Sequence, residues 1–195
     1  MENISIKMIK KIFFILASIF LIFQTYQFLN GITDQEAFDR LGPALFFSWL
    51  LSLFITGIFA FAGFALPTEK LMPESYYKIK NDNKLNRFYK MLRVDIFKKL
   101  LIKFIYGKPK KKADYFNGKR SGLDHFITNT KKAEFGHLIP FILISFLMIY
   151  LSFNGKLLFG LGLLFFNTVG NFYPVLVQRH HRARLVRMGV LKRND

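Results

Sequence analysis

Glu134 and His137 stand three residues apart in KKAEFGHLIPF, where an apolar segment begins. That spacing places both on one face of a helix. An imidazole beside a carboxylate suits proton abstraction. The carboxylate orients the ring and stabilises the imidazolium, while the other ring nitrogen takes a proton from an alcohol. Spacing alone leaves two further uses open: a buried hydrogen bond or clamp between helices, and a metal site. A metal site needs more ligands, and no His cluster or zinc-protease spacing supplies them. His125, directly after Asp124, reads as an interfacial residue.

A second polar set lies along FFNTVGNFYPVLVQRHHRAR. At about 100° per residue, Asn167, Asn171, Pro174, Gln178 and Arg182 fall in one narrow stripe, with His181 close to it. Pro174 frees a carbonyl and Gly170 loosens the preceding turn. Asparagines in such a stripe serve either as hydrogen-bonding glue between helices or as the wall of a polar groove facing Glu134 and His137. Arg179, Arg182, Arg184 and Arg187 would cap that groove, since guanidinium forks bind phosphate through paired donors. His180 and His181 point in different helical directions, and their roles stay open.

The elements that must position these residues are apolar. The chain has 195 residues, 52% of them hydrophobic, with 25 Phe and a formal charge of +17. Apolar and charged residues occupy separate stretches, the pattern of an all-α polytopic membrane protein forming one integral domain over 1–195. Four segments, at 12–29, 44–66, 135–153 and 157–178, read as transmembrane helices, because roughly 20 residues cross a core of about 30 Å. The first follows Lys7, Lys10 and Lys11 but lacks a small-x-small cleavage site, so it reads as an uncleaved span. Residues 67–133 hold 18 Lys/Arg against 6 Asp/Glu, and the tail from Arg179 holds 6 against 1. Residues 30–43 hold Asp34, Glu36 and Asp39 against Arg40 alone. This asymmetry expects a multi-pass protein of the cell membrane with both termini cytoplasmic.

Between the second and third spans, Leu85, Phe88, Leu92, Ile96, Leu100 and Phe104 recur every three or four positions among lysines and arginines. The pattern predicts a basic amphipathic interfacial helix over about 84–105, attracted to anionic lipids, with Lys108 and Lys110 to Lys112 extending its charge. The interleaving with apolar residues argues against nucleic acid as the partner. Absence of cysteine excludes disulfides and thiolate catalysis.

Two blocks carry a family resemblance. One runs Thr130-Lys131-Lys132-Ala133-Glu134-Phe135-Gly136-His137-Leu138. The other runs from Asn171 through Pro174 to Gln178-Arg179-His180-His181-Arg182-Ala183-Arg184-Leu185. In order and position they resemble glycosyl-4,4'-diaponeurosporenoate acyltransferases, small membrane enzymes of carotenoid synthesis. Lys132 stands at the family's Arg, Leu138 at its Trp, His180-His181 at Tyr-Asn, and Ala183 at a Pro. One extra residue separates Asn171 from Pro174.

The resemblance implies transfer of a fatty-acyl group to a sugar hydroxyl of a glycosylated lipid, a glycosyl carotenoid or another glycolipid. It implies acyl-CoA or an acyl carrier protein as donor, and no cofactor. His137 would be the general base, Glu134 its orienting carboxylate, and Asn171 or Gln178 a donor to the tetrahedral oxyanion. Asn167, Lys132, Arg179, Arg182, Arg184 and His181 would bind substrate. The alternative is a non-enzymatic membrane scaffold or lipid-binding subunit whose polar cluster holds helices together.

Overall fold

The computed structural model describes residues 4–31, 36–79, 82–104, 122–189 and 191, and the regular elements among them are all helical. Helices α1 (Ile4–Gly31) and α2 (Leu41–Ala65) come first. The short α3 (Glu74–Tyr77), α4 (Asp82–Met91) and α5 (Val94–Phe104) follow. Then come α6 (Leu123–Phe153) and α7 (Leu157–Asn167), which runs through a π turn, Thr168–Phe172, into α8 (Tyr173–Arg187). The chain divides into two compact units, Met1–Thr68 with Phe135–Phe172, and Glu69–Glu134 with Tyr173–Asp195.

Three helices among the described residues, rather than the expected four, are long and apolar enough to cross a membrane: Leu41–Ala65, Leu123–Phe153 and Leu157–Arg187. They support a multi-pass membrane protein. The segment expected to span at 12–29 lies within α1. Its stretch free of charged and amide side chains runs only from Ile12 to Phe23, between Lys11 and Gln24. Such a stretch reaches about 18 Å, short of a bilayer core of about 30 Å.

The first unit is held by close approach of helices. Ser48 on α2 donates to its own Ala44 carbonyl at 2.6 Å and to the Phe159 carbonyl at 2.9 Å. A Cβ on Gly162 would meet Ser48 Oγ at 2.5 Å and Ser48 Cβ at 2.8 Å. Small residues matter here because lipid tails are as apolar as the side chains, so contact rather than exclusion of water joins spans. Ser18 of α1 donates to the Ile58 carbonyl at 3.1 Å. Leu51, Ile55, Ile144, Phe159 and Leu163 form the centre of the unit, while Phe146, Ile149 and Phe165 stay exposed. Helix α2 ends at Leu66, extended at φ −117° and ψ 157° as the residue before a proline must be. Helix α6 ends at Phe153, and beyond it the φ of 79° at Gly155 lets Lys156 N–H reach the Leu151 carbonyl at 2.9 Å.

In the second unit the expected single interfacial helix over 84–105 is replaced by a helical pair, α4 and α5. Arg93, at φ 50°, interrupts the helix in the left-handed region. The pair packs on α8 rather than presenting one uniform lipid face. Tyr89 and Val94 are buried, and Phe97 stacks on Tyr173 with ring centroids 4.8 Å apart. The Tyr173 hydroxyl donates at 3.1 Å to the Leu92 carbonyl at the break. Lys108 and Lys110 to Lys112 lie outside the described residues.

Candidate functional site

Helix α6 puts Thr130 and Glu134 on one face, four residues apart, and α8 does the same for Arg179 and Arg182, three apart. All four belong to the second unit. Glu134 is fully buried. Its Oε1 accepts from Arg179 Nε at 2.6 Å and from the Tyr76 hydroxyl at 2.7 Å. Its Oε2 accepts from Arg182 Nη2. Arg182 is itself 2% exposed, reaches Thr130 Oγ1 from Nη1 at 3.4 Å, and has the Tyr77 ring 5.3 Å from its guanidinium carbon. Arg179 lies over the Tyr76 ring at 4.5 Å. A buried carboxylate needs such partners, because an unpaired charge there is prohibitive.

The Tyr77 hydroxyl is buried with no hydrogen-bond partner among the described residues. Burial pushes it up to about 12, against the pull of Arg182, so it stays protonated at physiological pH. Burial lowers the Lys98 ammonium, and Arg184 nearby lowers it further.

His137 belongs to the first unit, and its partner is Asn171 rather than Glu134. Nδ1 lies 3.3 Å from Asn171 Oδ1. The roles of these atoms follow from a chain of hydrogen bonds. Asn167 Nδ2 donates to the Phe141 carbonyl at 3.0 Å and to Ser145 Oγ at 3.1 Å. A carbonyl can only accept, which fixes the orientation of the Asn167 amide. Its Oδ1 therefore accepts from Asn171 Nδ2, at 3.1 Å. Asn171 in turn presents Oδ1 to the Thr56 hydroxyl, at 3.1 Å, and to His137. His137 Nδ1 is thus the protonated nitrogen, and Nε2 carries the basic lone pair. The π turn, Thr168–Phe172, carries Asn171.

A cavity of about 800 Å³ adjoins this chain in the first unit. Leu21, Trp49, Leu53, Phe61 and Phe166 give it apolar walls, and Thr56 and Gly170 line it as well. Such walls suit an apolar chain.

The expected residues therefore separate into two networks. Asn167, Asn171 and His137 form one, and Glu134, Arg179 and Arg182 the other. Lys132 lies 3.6 Å from Glu69, Arg184 is exposed, and Gln178 is partly buried. His181 meets the Phe126 ring edge-on at 5.6 Å. His180 is buried against Tyr89, 3.8 Å from Asp95. Thr56, Tyr76 and Thr130 escape the sequence reading. Thr56 had a signal, for Ser48, Ser52 and Thr56 repeat every four residues on α2. Tyr76 sits on an isolated turn without any periodicity to mark it.

Among the described residues no group of three His, Cys, Asp or Glu side chains could hold a metal ion. Neither a curated protein nor a solved structure matches the chain. A family of enzymes does: the sequence pattern of glycosyl-4,4'-diaponeurosporenoate acyltransferase matches residues 73–190. That stretch holds both polar networks apart from Thr56 and covers more than half of the chain, which belongs to this acyltransferase family.

Proposed function

We propose that the protein transfers a fatty-acyl group from a thioester donor to a sugar hydroxyl of a glycosylated lipid, with a glycosyl carotenoid as the acceptor its family name indicates. The observation that carries this reading is the hydrogen-bond order from Phe141 through Asn167 and Asn171 to His137, which leaves Nε2 as the basic nitrogen. Nε2 takes the hydroxyl proton as the sugar oxygen bonds to the acyl carbonyl carbon. The carbon–sulfur bond then breaks, and the proton passes to the departing thiolate. Asn171 positions the imidazole, a role that replaces the one expected of Glu134. The apolar chain of a substrate occupies the 800 Å³ cavity beside Thr56. Glu134 holds Arg179 in place as an anion binder.

The test compares wild-type protein with His137→Ala in detergent, supplied with acyl-CoA and a glycosyl carotenoid, with the ester product counted by mass spectrometry. Removing a general base costs about 10²–10⁴-fold in rate. Equal product from two equally folded proteins would remove His137 from the mechanism.

A further inference from the structure

The second unit contains a pocket that the proton-transfer chemistry leaves unused. It measures about 510 Å³ and lies between the segment Ser75–Ile79 and α4. Among the described residues three cations line it, Lys78, Lys84 and Arg179, together with the ring and alkyl surfaces of Tyr76, Leu85 and Phe88. Lys78 and Lys84 stand at an exposed rim, whereas Arg179 is partly buried. Arg179 is oriented in advance, held at Nε by Glu134 at 2.6 Å and resting on the Tyr76 ring. Among the described residues no acidic side chain lines this pocket. Its volume lies within the range of small-ligand sites, about 300–1,000 Å³, and far exceeds what one phosphate group needs.

Cations beside aromatic surface are the combination that recognises a phosphorylated nucleotide. Phosphate oxygens pair with guanidinium and ammonium groups, and a base stacks on a ring. Phe88, 39% accessible, offers a base a ring surface beside those charges. We infer that this pocket binds the phosphorylated adenine nucleotide end of coenzyme A, with phosphate on Arg179, Lys78 and Lys84 and the base against Phe88. The donor's identity in this inference rests on the acyl-transfer reading. The pocket itself does not.

The experiment is calorimetric titration of the full-length protein in neutral detergent with CoA, dephospho-CoA and pantetheine. CoA should bind. Dephospho-CoA should bind about tenfold more weakly and pantetheine more weakly still, as expected for lost charged hydrogen bonds. Lys78→Ala and Lys84→Ala change rim residues and should each weaken CoA about tenfold, and Phe88→Ala by a similar factor. Unchanged CoA affinity in the Lys78→Ala/Lys84→Ala double variant would overturn the inference. So would displacement of CoA by an equal concentration of short-chain phosphatidylglycerol, which would assign the pocket to headgroups. Acyl transfer from acyl carrier protein without CoA binding would overturn the pocket and leave the acyltransferase reading standing. CoA binding without acyl transfer would support the pocket and overturn that reading instead.

Discussion

Asn171 turns its carbonyl oxygen, not its amide nitrogen, toward His137 Nδ1 across 3.3 Å. A side chain that accepts here selects one imidazole tautomer without contributing a charge. Asn171→Ala removes the acceptor shared by His137 and Thr56. The expected outcome is a fall in kcat of about 10–100-fold, the range for an orphaned buried polar group, with KM little changed. Thr56→Val spares the bond to His137 and should cost less than about fivefold. Steady-state kinetics on variants with matched melting curves decides between them. Equal losses in the two would remove Asn171 as the residue that positions the imidazole.

Glu134 accepts from both Arg179, partly buried, and Arg182, fully buried. Glu134→Gln leaves Arg182 buried without its counter-charge. Breaking such a pair from one side costs about 3–5 kcal/mol. Thermal unfolding in detergent should show a large drop, and Glu134→Gln combined with Arg182→Met should recover part of it. A double variant less stable than Glu134→Gln alone would count against charge pairing as the cause.

Gly162 is a packing residue. An added Cβ would meet Ser48 Cβ at 2.8 Å, a backbone-anchored atom that cannot swing aside. Gly162→Ala should therefore destabilise by about 1–3 kcal/mol. Gly170, where nothing lies within 4 Å, should tolerate alanine in the same unfolding assay. Similar losses at both glycines would argue for a helix-wide effect instead of a local clash.

Tyr77 predicts an alkaline signature. Its hydroxyl is pushed from 10.0 to about 12 by burial, so the folded state holds this proton more tightly than the unfolded state does. The stability it confers is complete below pH 10 and declines as pH rises toward 12. Tyr77→Phe should flatten that part of the stability profile relative to wild type, because phenylalanine has no proton to lose. Parallel profiles for the two proteins would assign the alkaline loss to lysines.

Sequence spacing expected Glu134 to orient His137, whereas the hydrogen bonds of each run to other residues. Glu134 and His137 share a helical face, and that spacing says nothing about which other helices supply partners. Arg179 and Arg182 satisfy the carboxylate from α8, while Asn171 satisfies the imidazole. The stripe through Asn167 and Arg182 assumed uniform helical pitch, which the π turn at Thr168–Phe172 breaks. Apolar length was readable for three helices and overestimated for the first, where amides follow Phe23. The period of the basic segment was also readable. Its division at Arg93 was not, because a left-handed arginine has no signature comparable to that of glycine.

Glu134 draws Arg179 and Arg182 into an arrangement that the unfolded chain lacks. An anion that settles beside Arg179 therefore binds the folded protein in preference to the unfolded one. Folding and occupancy are then thermodynamically linked. The melting temperature should climb with the concentration of a bound anion and sink as competing salt is added, so the protein reports its own ligation state through its stability.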